Sequence, residues 1–174
     1  MKVLVVVDMQ KDFIDGALGT SEAVSIVENV KKKIEDYREK GYGVIFTRDT
    51  HEADYLNTQE GRNLAVEHCI ENTSGWEISK ELDAKDSTII NKPSFGSLEL
   101  PAHIKKAYEN LEEIEIIGLC TDICVISNAM ILKAAFPETL ISVDASCTAG
   151  VTRESYRNSL EAMKMCQIRI LNDN

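Results

Sequence analysis

A three-layer α/β fold, a six-stranded mostly parallel sheet with helices on both faces, is what this sequence predicts. Three observations carry the prediction. Short β-branched runs alternate with helical stretches along nearly the whole chain. The first strand reads as a continuous apolar run rather than an alternating one, as expected of a strand covered on both faces. And 174 residues, 44% of them apolar, fit one domain with a sizeable core, here expected to span 1–174.

In order, residues 2–7 (KVLVVV) form the first strand, and residues 21–40 carry apolar positions at helical spacing, namely Val24, Val27, Val30, Ile34 and Tyr37. Gly41 stands where a helix C-cap glycine belongs, and residues 43–48 (GVIFTR) read as the second strand. Strands are then expected over 87–90, 114–118, 140–144 and 167–171, with helices over 99–110, 124–136 and 152–165. The stretch 49–86 has little regular pattern, and a loop of that length in a compact domain is usually functional.

Nineteen basic against twenty-nine acidic residues give a net charge of −10, which disfavours nucleic acid and anionic membrane surfaces as partners. No apolar run approaches the roughly 20 residues that cross a bilayer. Lys2 and the short apolar run ending at Asp8 do not form a signal peptide, so a cytoplasmic protein is expected. Five cysteines, at 69, 120, 124, 147 and 166, lack a disulfide-framework spacing and read as free thiols, ligands or a nucleophile.

In parallel sheets, ligands bind at the carboxyl ends of the strands, which directs attention to Asp8, Asp49, Lys92, the segment after Gly118, and Asp144. A carboxylate at Asp8 either caps a turn or, partly desolvated, transfers protons. Lys92, held before Pro93, is either a solvated lysine or a charge aimed into the site. Cys124 stands near a helix start, where the macrodipole favours a thiolate; the alternative is a buried small hydrophobe, the reading given to Cys147 and Cys166. If Asp8 and Lys92 converge on Cys124, the ammonium lowers the thiol pKa, the carboxylate shuttles the proton, and helix-start amides in 120–124 form an oxyanion hole.

Asp49 and His51 project from one side of an extended segment, and with His68 they make a three-ligand site for a divalent metal. A cysteine site from Cys69, Cys120 and Cys124 is the weaker alternative, since it lacks paired CxxC spacing. Lys31-Lys32-Lys33 and Glu112-Glu113 read as solvated surface, and His103 has no ligand-type neighbours. No phosphate-binding glycine motif occurs.

The segments VVVDMQKDF (5–13), RDTH (48–51), EHC (67–69), NKPSFGS (91–97) and GLCTDICV (118–125) together resemble the isochorismatase-like cysteine hydrolases, in particular the nicotinamidase branch. The resemblance covers nearly the whole chain in the expected order. It implies a catalytic triad of Asp8, Lys92 and Cys124, metal ligands Asp49, His51 and His68, and a cis Leu119–Cys120 peptide. It further implies oxyanion donors on the backbone of Cys120 and Cys124, and substrate contact by Phe13. The implied reaction is hydrolysis of a small amide, nicotinamide first, through a Cys124 thioester; another carboxamide, a carbamoyl compound or isochorismate is the alternative. One divalent ion, zinc before iron or manganese, and a homo-oligomer are implied as well. One departure stands out: Ala65 occupies a position that is aromatic in many nicotinamidases, with Trp76 and Phe95 as candidate replacements.

Overall fold

The computed structural model describes residues 1–173. Strands β1 (Lys2–Val7), β2 (Gly43–Asp49), β3 (Thr88–Lys92), β4 (Glu113–Leu119), β5 (Leu140–Ala149) and β6 (Arg169–Leu171) form one sheet in the order β3-β2-β1-β4-β5-β6. Every pairing is parallel. The helices are α1 (Lys11–Ile14), α2 (Ser21–Glu39), α3 (Gln59–Asn63), α4 (Glu99–Ala107), α5 (Ile126–Ala135) and α6 (Arg153–Met165).

The side-chain alternation of β1 shows why its sequence is apolar throughout. Leu4 and Val6 join Ala23, Val27, Val30 and Ile34 of α2 in one core, while Val3, Val5 and Val7 join residues of α4, α5 and α6 in the other. Val24 is the exception among the predicted α2 core positions: it turns outward, where the helix face has rotated past the sheet. Thr20 caps α2 by accepting from the Ala23 N–H, and Thr152 caps α6 by accepting from the Ser155 N–H.

Several boundaries move. The helix expected over 99–110 stops at Ala107, and the one expected from 124 begins as a π-helical turn, Thr121–Val125, before α5. Strand β3 runs on to Lys92, and β6 is confined to Arg169–Leu171. The 49–86 segment contains α3 and single 3-10 turns at Tyr55–Asn57 and Lys80–Leu82.

The largest correction is at β5. It continues past Asp144 to Ala149 through a register shift against β4 between Ile116 and Gly118, so Asp144 lies mid-strand and away from the ligand edge. Lys33 and Glu113 are likewise misread as solvated: Lys33 spans the carboxylates of Glu115 and Asp144, and the buried Glu113 pairs with Lys2 and accepts from Ser142. In both cases a polar residue within an apolar pattern has found a charged partner on another element, which sequence spacing does not encode. Cys147 is buried as expected, whereas Cys166 is exposed at the end of α6.

Candidate active site

The strand order reverses direction between β1 and β4, and a crevice opens there at the carboxyl ends. Asp8 follows β1 in a left-handed backbone conformation (φ 47°), sparsely populated for a residue with a side chain. Opposite it, Gly118 adopts φ 113°, and a Cβ there would lie 2.1 Å from the Val7 carbonyl oxygen. Only glycine lets β4 approach β1 this closely just before the cis Leu119–Cys120 peptide. The cis bond falls where the family resemblance implies it.

Three buried groups converge in the crevice. Asp8 is 0% exposed, Lys92 1% and Cys124 4%. Lys92 Nζ lies 2.7 Å from Asp8 Oδ2 and 3.6 Å from Cys124 Sγ. Thr47 donates to Asp8 Oδ1 at 2.7 Å, while Asp8 Oδ2 faces the ammonium as an ion pair with no further hydrogen-bond partner.

Burial raises the Asp8 carboxyl above its ordinary pKa even though Lys92 pulls the other way. Lys92 is itself disfavoured as a cation by burial, but Asp8, Cys124 and Asp49 overcome that and keep it charged. At Cys124 burial dominates, with Asp8 adding to it and Lys92 opposing, so the thiol stands well above its usual range. The thiolate expected from the helix start and the ammonium is therefore not the resting form: complete desolvation outweighs both. A protonated thiol needs a base to act as a nucleophile, and the Asp8 Oδ2 atom lies beside the same ammonium.

Beside this group, Asp49, His51 and His68 come together as the spacing predicts. Glu60 on α3 joins them, and one donor atom from each of the four lies within 4.8 Å of the others. His51 Nε2 is buried and approaches Asp49 Oδ2 at 3.0 Å without the alignment of a hydrogen bond. His68 Nδ1 donates to the Val66 carbonyl at 2.8 Å, which leaves Nε2 free to face the carboxylates of Asp49 (3.8 Å) and Glu60 (3.7 Å). An orphaned buried imidazole nitrogen among carboxylates fits a divalent cation. No cysteine belongs to the group, so the Cys69, Cys120 and Cys124 site is not formed.

The two clusters are joined. Asp49 turns Oδ1 to Lys92 at 3.2 Å and Oδ2 to the histidines. Burial works against the Asp49 charge, but His51 and Lys92 hold its carboxyl below the ordinary value.

Sequence spacing gave no sign of Glu60, which arrives through one turn of helix capped by Thr58. Supporting residues were missed too. Gln10 donates to the Asp49 and Trp76 carbonyls and accepts from the Asp49 N–H. Asp12 accepts from the Cys69 N–H and so anchors the loop segment that carries His68. Asn128 donates to the Cys124 and Phe95 carbonyls and accepts from the Ser97 N–H, tying the π turn to the segment after Lys92. Gln10 and Asp12, both within DMQKDF, carried a sequence signal through the motif, whereas Asn128 carried none.

Phe13, His68, Phe95, Cys120, Ile123 and Cys124 line a small chamber of about 50 Å³ over the thiol. Phe13 meets the His68 ring at 5.5 Å between centroids. Of the two candidate replacements for the missing aromatic, Phe95 is the one at the chamber. Trp76 is committed elsewhere: its indole donates to Thr50, and the Arg48 guanidinium stacks 3.3 Å above it.

The model of the isochorismatase domain family matches residues 2–172. The chain belongs to the isochorismatase family. This isochorismatase-family hydrolase is 28% identical to the zinc-complexed pyrazinamidase of Pyrococcus horikoshii, with a TM-score of 0.87 over 98% of each chain. It is 25% identical, with a TM-score of 0.83, to the N-carbamoylsarcosine amidase of Thermoplasma acidophilum, covering 99% of this chain and 97% of that one. Among curated proteins, it is 24% identical over 188 residues to the nicotinamidase/pyrazinamidase of Mycobacterium tuberculosis, covering 98% of both. Nicotinamidases and pyrazinamidases thus recur among the relatives of this isochorismatase-family protein, the branch its motifs resemble. No helix among the described residues is long and apolar enough to cross a membrane.

Proposed function

We propose that this isochorismatase-family protein is an amidohydrolase that converts nicotinamide to nicotinate and ammonia, with Asp8, Lys92 and Cys124 as its catalytic residues. The observation that carries the reading is the contact of Lys92 with both Asp8 and Cys124, immediately beside the four-donor group of Asp49, His51, Glu60 and His68. Asp8 Oδ2 takes the Cys124 thiol proton as the sulfur attacks the amide carbon. The backbone amides of Cys120 and Cys124 hold the resulting oxyanion. When the C–N bond breaks, Asp8 returns the proton to the departing nitrogen, which leaves as ammonia. Asp8 then takes a proton from water as that water attacks the thioester, and it reprotonates the released sulfur. Its raised pKa suits this exchange of a single proton, and Lys92 steadies each anionic partner in turn.

Asp49, His51, Glu60 and His68 would hold one divalent ion, zinc by analogy with the Pyrococcus protein, with donors that also suit iron or manganese. Bound there, the ion would supply a Lewis-acid contact for a substrate ring nitrogen, while Phe13 packs on the ring. A second reading, an amidase for another small carboxamide or carbamoyl compound, is favoured by Ala65 and by the likeness to the carbamoylsarcosine amidase. Isochorismate is the weaker substrate, since its vinyl ether requires neither a thiol nor the four-donor group.

Ammonia release from nicotinamide by metal-loaded protein tests the assignment. The wild type should turn over and Cys124→Ala should not; silence of both against nicotinamide, with turnover of carbamoyl compounds, would transfer the assignment to the second reading. His51→Ala should lose bound metal, read by elemental analysis, and unchanged metal content would remove His51 from the ligand set.

A further inference from the structure

The chamber over Cys124 shares part of its wall with a larger cavity. Phe13, Leu18, Leu64, Cys120 and Ile123 also line a second cavity of about 300 Å³, whose wall is extended by Ala23, Ala149 and Val151. Apart from the Thr20 cap its wall is almost entirely hydrocarbon. Leu64 and Val151, 39% and 56% exposed, stand as apolar side chains facing water. A partly open apolar cavity of this size, sharing its wall with the chamber over Cys124, has the dimensions and lining of a small-molecule subsite.

We infer that this cavity is an acyl-arm subsite, and that the protein acts on primary carboxamides whose acyl body carries an apolar extension. The inference rests on the amidohydrolase reading above and makes its substrate class more specific. The orientation follows from where the proton donor lies. Asp8 is fully buried and lines neither chamber, so the departing nitrogen that it must reach has room only for a small group, and ammonia fits. The second cavity lies on the Phe13, Cys120 and Ile123 side, so it receives the part of the substrate that stays on sulfur. Ala65 adds to this, because a small residue at the usual aromatic position removes one wall that would confine the substrate to a single ring.

The test is a series of primary amides, acetamide, butanamide, hexanamide and octanamide, together with nicotinamide, assayed by ammonia release from metal-loaded protein. Each methylene that enters the cavity should raise kcat/KM about fourfold, the equivalent of ~0.8 kcal/mol per buried CH₂. Val151→Trp, at an exposed position that lines the second cavity and not the chamber over Cys124, should abolish the dependence on chain length and leave acetamide turnover as the measure of an intact fold. Val151→Asp should do the same by making the wall polar. Binding of hexanamide and acetamide to Cys124→Ala by calorimetry separates the two claims. Turnover of acetamide or nicotinamide without a gain from chain length overturns the subsite and leaves the amidohydrolase standing. Absent turnover, with hexanamide binding tighter than acetamide in a manner lost in Val151→Trp, upholds the apolar subsite and overturns the amidohydrolase. Absence of both overturns both.

Discussion

Two lysines, Lys92 buried and Lys33 half-buried, each sit between two buried carboxylates, and they differ in what surrounds them. Lys92 bridges Asp8 at 2.7 Å and Asp49 at 3.2 Å; Lys33 bridges Glu115 at 2.7 Å and Asp144 at 2.8 Å. Around Lys33 both carboxylates have further partners: Tyr37 donates to Glu115, and Ser146 and Asn172 donate to Asp144. Around Lys92 one Asp8 oxygen has only the ammonium, a thiol lies within 3.6 Å, and a chamber opens above it. Ion pairing alone therefore does not distinguish a reactive centre from a structural clamp. On the proposed function, the unfilled acceptor beside a thiol does.

The sharpest way to break this comparison is to remove the acceptor. Asp8→Asn should reduce kcat by about 10³-fold or more, the scale of losing an essential proton carrier, while the folded structure persists. A variant that kept its rate would reduce Asp8 to the role of Lys33's carboxylates. Next in size, Lys33→Met should destabilise the fold by about 3 kcal/mol in urea titration, because it leaves Glu115 and Asp144 buried without their cation. Its turnover per folded molecule should match the wild type, and a parallel loss of rate would tie the two clusters together.

The smallest effect is in the acid limb. Burial works against the Asp144 charge, but Lys33, Asn172 and Ser146 more than offset it, and Lys2 and Ser142 do the same for Glu113. Both folded pKa values lie below those of the unfolded chain, so their stabilisation is complete above about pH 4.5 and is lost as pH falls through the folded values. Asp8 has the opposite sign, its pKa raised from 3.8: the folded state keeps a proton that the unfolded chain releases, so stability from this group declines as pH rises past that point. Urea midpoints between pH 2.5 and 7 should show a shallower acid loss in Lys33→Met and a shallower decline on the neutral side in Asp8→Asn. Identical profiles for the two variants would contradict the opposed signs.

Asp8, Lys92 and Cys124 were legible in the sequence because a parallel sheet delivers strand ends to one edge, and each stands at or just after an apolar run. Asp49 and His51 were legible for the same reason, and His68 as the further ligand-type side chain in the loop that follows them. Asp144 was misplaced by the same rule: nothing in LISVDASCTA announces that the strand continues through an irregularity. Glu60, Asn128 and Lys33 were invisible because their roles depend on which elements fold against each other, and a charge at helical spacing looks the same whether it meets water or a carboxylate on a distant strand. The thiol was misjudged energetically, since the degree of desolvation at Cys124 is a property of the packed crevice.

The strand order has a consequence for how such a protein can be altered. With β1 at the centre, β2 and β3 and the loop after β2 carry Asp49, His51, Glu60, His68 and Lys92, while β4, β5 and the turns after them carry Cys120, Cys124, Ala149 and Val151. Asp8 sits on the seam. On the proposed function, cation loading and the shape offered to the substrate body are thus written largely on opposite halves of one sheet, so that either half could be retuned by local substitution while the seam keeps the proton chemistry in register.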